Sequence, residues 1–382
     1  MMTFTPTEAE QNIQALARDF AQTKLAARVS EHNKGVFPTE SMAELASLGL
    51  MGIKSPKELG GLDSSNVAYC MAIREIATVC ASTAVTMAVS NMVGDMIHKF
   101  GDDGQRQRWL KPLLEGRFTA GSFALSEPQA GSDAASLSAK ATLSDDGTHY
   151  VLNGTKMWIT SGDVAGVVLV MGKTDADAGA RGISAFLVDP NAEGFEVGRH
   201  EQKMGLKGSS TVSLRFDNVR VPVEDRLGPE GIGFRVAMTA LDSGRCGIGA
   251  QALGIAQSAL DEVLASMPDR RAHDKDLGTD QATSFRVADM ATRMEAAWLM
   301  VLRASAMLDA GVRMTREAAM AKVFATEAAG FVTQTCMGLA GTSQLRHDGP
   351  IGRAYRDARV ARIYEGTSEV QRIVIARELV RG

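Results

Sequence analysis

His149-Tyr150-Val151-Leu152-Asn153-Gly154-Thr155-Lys156-Met157-Trp158-Ile159-Thr160 decides how the rest of the chain is read. Apolar residues flank an Asn-Gly pair, the strongest short-range signal for a tight two-residue turn, so the stretch predicts a β-hairpin. Downstream, Val167-Val168-Leu169-Val170-Met171 and Ile183-Ser184-Ala185-Phe186-Leu187-Val188 read as buried strands, and Val212 to Val221 alternates like another. Gly, Ser, Asp and Thr become dense from Thr119 onward. A β unit is therefore expected over 119–229.

The flanks read differently. Thr5-Pro6-Thr7-Glu8 predicts a helix start with Thr5 as cap, Pro6 in the first turn and Glu8 in the third position. Ser41-Met42-Ala43-Glu44 offers a second capping box, and Leu48-Gly49-Leu50-Met51-Gly52-Ile53 a break. Small and apolar residues dominate Val67 to Val93, as closely packed helices require. From about Gly231 long Ala/Leu/Met/Arg patterns run to Arg377. The expected fold is α+β and multidomain: an N-terminal helical domain at 1–118, a β-sandwich- or barrel-like middle domain at 119–229, and a four-helix-bundle-type domain at 230–382.

The chain has 382 residues and a net charge of −4, which speaks against a nucleic-acid surface. Cys70, Cys80, Cys246 and Cys336 are scattered without a CxxC, so neither a disulfide framework nor a metal site is signalled. No apolar run is long enough for a membrane span, the start carries no basic-then-apolar leader, and a cytoplasmic protein is expected. Gly247-Ile248-Gly249-Ala250-Gln251-Ala252 fits a loose dinucleotide-binding pattern, but helix formers surround it where that pattern needs a strand and turn, so it reads as helix packing.

The candidate chemistry sits in Ala361-Arg362-Ile363-Tyr364-Glu365-Gly366-Thr367-Ser368-Glu369-Val370. Ser368 can cap a helix, with Gln371 completing a capping box. Glu365 then falls on a sharp bend beside a flexible Gly, where a carboxylate can be aimed into a cleft as a general base. An ordinary surface Glu at a helix start is the commoner case; the remaining motifs decide between them.

Those motifs are Phe123-Ala124-Leu125-Ser126-Glu127-Pro128-Gln129-Ala130-Gly131-Ser132-Asp133, Met157-Trp158-Ile159-Thr160, Lys203-Met204-Gly205-Leu206-Lys207-Gly208-Ser209-Ser210-Thr211, Leu241-Asp242-Ser243-Gly244-Arg245 and the Tyr-Glu-Gly-Thr bend. In this order the chain resembles the acyl-CoA dehydrogenase family over nearly its whole length, with wording most like the short-chain, butyryl-CoA branch. The resemblance implies FAD as cofactor and an acyl-CoA thioester as substrate. Glu365 would abstract the α-proton while flavin N5 takes the β-hydride.

By position in the family, Phe123, Leu125 and Ser126 would flank the flavin's pyrimidine side. Gly131 would let backbone approach closely, and Ser132 would touch pyrophosphate or CoA. Trp158 would cover one isoalloxazine face with Ile159 beside it and Thr160 near N5, while Thr367 and Glu369 would complete the FAD side. Arg270 with Gln281, and Gly338 with Gly341, would serve a neighbouring subunit's FAD. Asp242, Arg245, Tyr364 and Gly366 would line the substrate channel. Gly244 matters by having no side chain, because other branches of the family place their base there. Two stretches depart from the family: His273-Asp274 stands where Phe-Gly is usual, and Gly338-Leu339-Ala340-Gly341-Thr342 where Gln and paired Gly are usual. The resemblance also implies a homotetramer built as a dimer of dimers and an electron-transferring flavoprotein as acceptor. A flavin oxidase or monooxygenase on the same fold, or a non-catalytic flavin or acyl-thioester binding protein, remain the alternatives.

Overall fold

The computed structural model describes residues 5–380 except 269, 273 and 274; the departure at His273-Asp274 therefore lies outside the described residues. The chain opens with helices α1 (Glu8–Phe20), α2 (Ala26–Asn33), α3 (Thr39–Ser47), α4 (Asn66–Val79) and α5 (Ala81–Phe100), followed by short α6 (Asp103–Gln105) and α7 (Lys111–Leu114). Thr7, not Thr5, caps α1: its hydroxyl accepts the Glu10 N–H, and the Glu10 carboxylate accepts the Thr7 N–H at 2.8 Å. The capping box at Ser41 does not form. There α3 has already begun at Thr39, and Ser41 and Glu44 instead accept hydrogen bonds from Arg28.

The middle of the chain forms β1 (Gly121–Ala124), β2 (Lys140–Leu143), β3 (His149–Thr160), β4 (Val167–Lys173), β5 (Ile183–Val188), β6 (Phe195–His200) and β7 (Thr211–Pro222). These make one curled sheet in the order β1-β4-β2-β3-β7-β6, with β5 also paired to β4. The expected hairpin at Asn153-Gly154 is absent, and β3 runs unbroken through it. Gly154 takes φ 151° because Ala139 crosses so close that a Cβ on Gly154 would lie 2.7 Å from the Ala139 Cβ. The Asn153 side chain bonds across to Asn218 on the neighbouring strand instead of closing a turn. The Asn-Gly signal thus marked a close strand crossing beside a register shift.

Both faces of β4 are buried. Val167, Leu169 and Met171 pack toward the helical core, whereas Val168 and Val170 join Tyr150, Phe186 and Val212 in the core of the sheet. That explains the unbroken apolar runs of β4 and β5, because a strand covered on both sides loses its alternation.

After the sheet, α8 (Gly233–Ser266) runs through the centre of the helical body and packs on α4 and α5. Two-residue strands β8 (Arg271–Ala272) and β9 (Lys275–Asp276) lead into α9 (Gln281–Asp309), α10 (Thr315–Ala340), α11 (Pro350–Ala361) and α12 (Ser368–Val380). The Asp309 carboxylate, at the end of α9, accepts the backbone N–H groups of Asn66 (2.7 Å) and Val67 (3.2 Å), so the last residue of α9 caps the first turn of α4. Among the described residues no helix is long and apolar enough to cross a membrane.

Candidate active site

Between α11 and α12 the backbone turns through two consecutive left-handed residues, Glu365 (φ 51°) and Gly366 (φ 88°). A non-glycine residue in this region is uncommon and persists only where its surroundings hold it. Ser368 is not the cap: Thr367 accepts the Val370 N–H, while the Ser368 hydroxyl is buried without a partner. Gln371 closes no capping box either. Its amide donates to the carbonyls of Glu365 and Gly366, at 3.0 Å each, and so ties the bend from below.

The carboxyl group of Glu365 reaches Gly244 on α8. A Cβ there would lie 2.0 Å from Oε2, so only glycine leaves room. Glu365 is partly exposed as a residue, yet Oε2 is closed off from solvent and has no hydrogen-bond partner. Burial pushes the carboxyl up to about 7, against the opposing pull of the Lys322 and Arg245 cations. Among the described residues nothing accepts the Glu365 backbone N–H.

Tyr364 donates to Gln251 Oε1 at 2.5 Å, which fixes the residue before the base candidate. Asp242 and Arg245 form an ion pair at 2.5 Å, with Thr315 also donating to Asp242 at 2.8 Å. Arg245 is buried and its Nε has no partner, so the pair is not a solvated feature of a helix surface.

On the β unit the residue that the motifs single out is Trp158. A second register shift in β3, between Lys156 and Ile159, inserts one residue opposite β7. It puts Trp158 at φ 62° and leaves the indole 60 % exposed while Ile159 returns to the sheet core. A bulge thus turns out an aromatic plate that alternation would bury. Phe123, Ser126 and Thr160 are half-buried and Leu125 is buried. The Ser126 carbonyl accepts the Met157 N–H at 2.9 Å, and the Thr160 carbonyl accepts the Ser122 hydroxyl at 2.7 Å, so this rim is hydrogen-bonded together. Gly131 and Ser132 lie exposed, with open space around Gly131. Thr367 is half-buried, and Glu369 is exposed in the first turn of α12. An open indole face beside a rim of hydroxyl and backbone groups fits a flat aromatic cofactor with a polar edge.

Arg270 and the 338–341 stretch come together elsewhere. The Arg270 guanidinium donates to the Leu339 carbonyl and approaches Gly341, while Gly338 and Gln281 are exposed. No hydrogen bond or ion pair among the described residues joins this cluster to Glu365 or Trp158. Nor does any group of three or more His, Cys, Asp or Glu side chains among them suit a metal ion.

Three important residues escaped the sequence reading. Lys156 is fully buried and donates to Glu127 at 2.8 Å and to the Leu125 carbonyl at 3.0 Å. Burial alone would raise Glu127, but Lys156 and the N–H groups of Ser138 and Ala139 outweigh it and hold the carboxyl at about 2. Asp357 on α11 accepts the Leu206 N–H at 2.7 Å and docks the Met204–Lys207 loop. Lys322 on α10 is fully buried and donates to the Gly366 carbonyl at 2.7 Å. The available signals were a Glu and a Lys among strand residues, and one Lys inside the small, apolar Ala318-Ala319-Met320-Ala321-Lys322-Val323 run.

Three family models cover the chain: the N-terminal domain of acyl-CoA dehydrogenase matches residues 7–117, the middle domain 122–219 and the C-terminal domain 231–380. The chain belongs to the acyl-CoA dehydrogenase family, a family of FAD-dependent oxidoreductases. It is 42% identical to the mitochondrial short-chain specific acyl-CoA dehydrogenase of Bos taurus, over 98% of this chain and 90% of that one. It is 39% identical to the caffeyl-CoA reductase-Etf complex subunit CarC of Acetobacterium woodii, over 98% and 99%. Among solved structures, butyryl-CoA dehydrogenase from Megasphaera elsdenii superposes with a TM-score of 0.96 at 39% identity, over the full length of both chains.

Proposed function

We propose that this chain removes hydrogen from the α and β carbons of a short-chain acyl-CoA, with Glu365 as the base. The observation that carries the reading is the Glu365 carboxyl itself: an oxygen shielded from water, without a hydrogen-bond partner, packed over a glycine and titrating near neutrality. Such a carboxylate is poised to take a weakly acidic proton. The unpartnered N–H of Glu365 is placed to receive the thioester oxygen, where charge develops as the α-proton leaves. FAD, when bound, supplies the acceptor for the β-hydride. Phe123, Leu125, Ser126, Gly131, Ser132, Trp158, Ile159, Thr160, Thr367 and Glu369 would hold it on the side facing Glu365; the Ile159 side chain lies in the sheet core, so its contribution is backbone. Asp242, Arg245, Tyr364 and Gly366 would border the thioester.

The short-chain preference rests on the bovine and Megasphaera relatives, and an electron-transferring flavoprotein as partner on the Etf complex named for the Acetobacterium one. That relative is named for the reverse reaction, and the same base and hydride positions serve both directions. A homotetramer in which Arg270, Gln281, Gly338 and Gly341 reach a neighbour's FAD is supported by Arg270 sitting at Leu339, the far end of α10 from the Lys322 that bonds the Glu365–Gly366 bend, and by exposed Phe285 and Phe324 on α9 and α10. Four buried cysteines, all unpaired, suit a reducing, cytoplasmic setting. Division of the chain near 118 and 230 belongs to the same reading.

The test is a panel of butyryl-, octanoyl- and palmitoyl-CoA with a dye acceptor under anaerobic conditions. Turnover is expected to be highest with butyryl-CoA. Absence of flavin from the purified protein would favour a binding protein, and acceptor-independent peroxide formation in air an oxidase.

A further inference from the structure

Lys322 is a buried charged group that the chemistry above leaves unused. It lies on α10 among buried Ala318, Ala319, Ala321 and Ala325 and has no measurable exposure. An ammonium in such surroundings is costly unless something specific answers it. No carboxylate among the described residues forms an ion pair with it, and its one hydrogen bond goes to the Gly366 carbonyl at 2.7 Å.

That carbonyl belongs to the strained bend. Gln371 also donates to it, so α10 and α12 grip Gly366 from two directions and hold two successive left-handed residues in place. The same ammonium is the strongest positive influence on the Glu365 carboxyl, followed by Arg245. Several other groups face the site. Asp242 is paired with Arg245 on α8, Tyr69 on α4 and Tyr364 beside the base both feel the Glu365 charge, and Arg362 and Glu369 flank Lys322. Arg245 shares its charge with Asp242 at 2.5 Å, which leaves Lys322 as the cation committed to the bend.

We propose that Lys322 is a positioning residue for proton transfer: through the Gly366 carbonyl its ammonium holds the bend that aims Glu365, and its charge favours the ionised carboxylate against the effect of burial. The proposal rests on Glu365 being the base. The ammonium forms no bond with substrate; burial pulls its own pKa down to about 8, against the pull of Glu365, so its charge is present through the low-pH limb and fades in alkali. It lowers the pH at which the base becomes available and fixes where that base points.

The experiment compares wild type, Lys322→Met, Lys322→Gln and Lys322→Arg holoenzymes. The rate of flavin bleaching by butyryl-CoA is followed anaerobically against pH, with Glu365→Gln alongside. An opposite charge nearby typically lowers a carboxyl pKa by about 1–3 units. Met and Gln should therefore move the low-pH limb upward by about one unit or more, with roughly tenfold slower bleaching at pH 7 that recovers in alkali. Arg should keep the wild-type midpoint. The protonated-carboxyl infrared band that Glu365→Gln removes should titrate with the same upward shift in Lys322→Gln, a readout independent of turnover. An unchanged midpoint in both Met and Gln, with rates lowered equally at every pH, overturns the proposal and leaves Lys322 a structural tie. Normal bleaching in Glu365→Gln overturns the base assignment instead, and the proposal with it. If Lys322→Met yields no folded protein, Lys322→Gln, which retains a donor for Gly366, decides.

Discussion

Gly244 on α8 faces the Glu365 carboxyl so closely that a Cβ at Gly244 would sit 2.0 Å from Oε2. The helix is therefore shaped around a side chain that enters from another part of the chain. Gly244→Ala should push the carboxyl off its position while leaving the helix intact, since Ala is the better helix former. A misplacement of about 1 Å can cost about 10²-fold in rate. Flavin reduction should fall by about that much with little change in melting temperature; a normal reduction rate would show that the carboxyl tolerates displacement.

Glu365→Gln should retain flavin and a non-reactive thioester analogue but slow bleaching by roughly 10²–10⁴-fold, the usual contribution of a positioned base. Stopped-flow absorbance under anaerobic conditions measures it, and a rate within a few-fold of wild type would remove Glu365 from the mechanism.

The same variant has a stability signature. The folded carboxyl titrates at about 7 against 4.5 as the ordinary value, so between these limits the folded state holds the extra proton and stability falls as pH rises. Above pH 7 the ionised wild-type group carries a penalty of up to about 3 kcal/mol. Glu365→Gln should melt higher than wild type at pH 8, with the gap closing toward pH 4.5. A constant gap across that range would mean the carboxyl is not raised.

Trp158→Ala should leave the stability of the flavin-free protein nearly unchanged, because the indole is 60 % exposed and fills no core. Surface substitutions of this kind usually stay within about 0.5 kcal/mol. Flavin affinity should drop about tenfold, in line with an aromatic contact of roughly 0.5–1.5 kcal/mol beyond its buried area. Equilibrium dialysis and calorimetry separate the two effects; collapsed melting with normal flavin affinity would mark Trp158 as a packing residue.

Lys156→Met should destabilise the protein by about 3–5 kcal/mol, since it strands the Glu127 carboxylate in the interior. The depressed carboxyl contributes stability that is present above 4.5, its ordinary value, and disappears as pH falls toward about 2. The deficit of the variant in urea unfolding should therefore be largest at neutral pH and shrink in acid. Equal deficits at pH 7 and pH 3 would contradict the ion pair as the cause.

Periodicity made the helical flanks and the buried strands legible, because burial on one or both sides leaves its mark on local sequence. The motif wording then pointed to Glu365 and Trp158. The hairpin at Asn153-Gly154 was misread because Gly answers equally to a turn and to a close strand crossing, and only the position of Ala139 separates them. Thr7 rather than Thr5, and Thr367 rather than Ser368, cap their helices, since neighbouring hydroxyl residues compete for a role that one residue of register decides. Lys322, Lys156 and Asp357 were illegible for a different reason. Each answers a group more than 20 residues away along the chain, namely Gly366, Glu127 and Leu206, and no local pattern records such a partner.

The cap that Asp309 places on α4 sets an order of events during synthesis. The first backbone donors of α4 emerge from the ribosome with Asn66 and Val67, and their acceptor follows 243 residues after the first of them. Until then those two N–H groups have only water to bond, although Ser65 already accepts the Ala68 N–H, and α4 waits likewise for the long central helix that packs on it. The first turn of α4 therefore remains unfinished through the making of the whole sheet, and while α1 and α5 can already pack on this helix, the side that the central helix later covers stays open for that long interval.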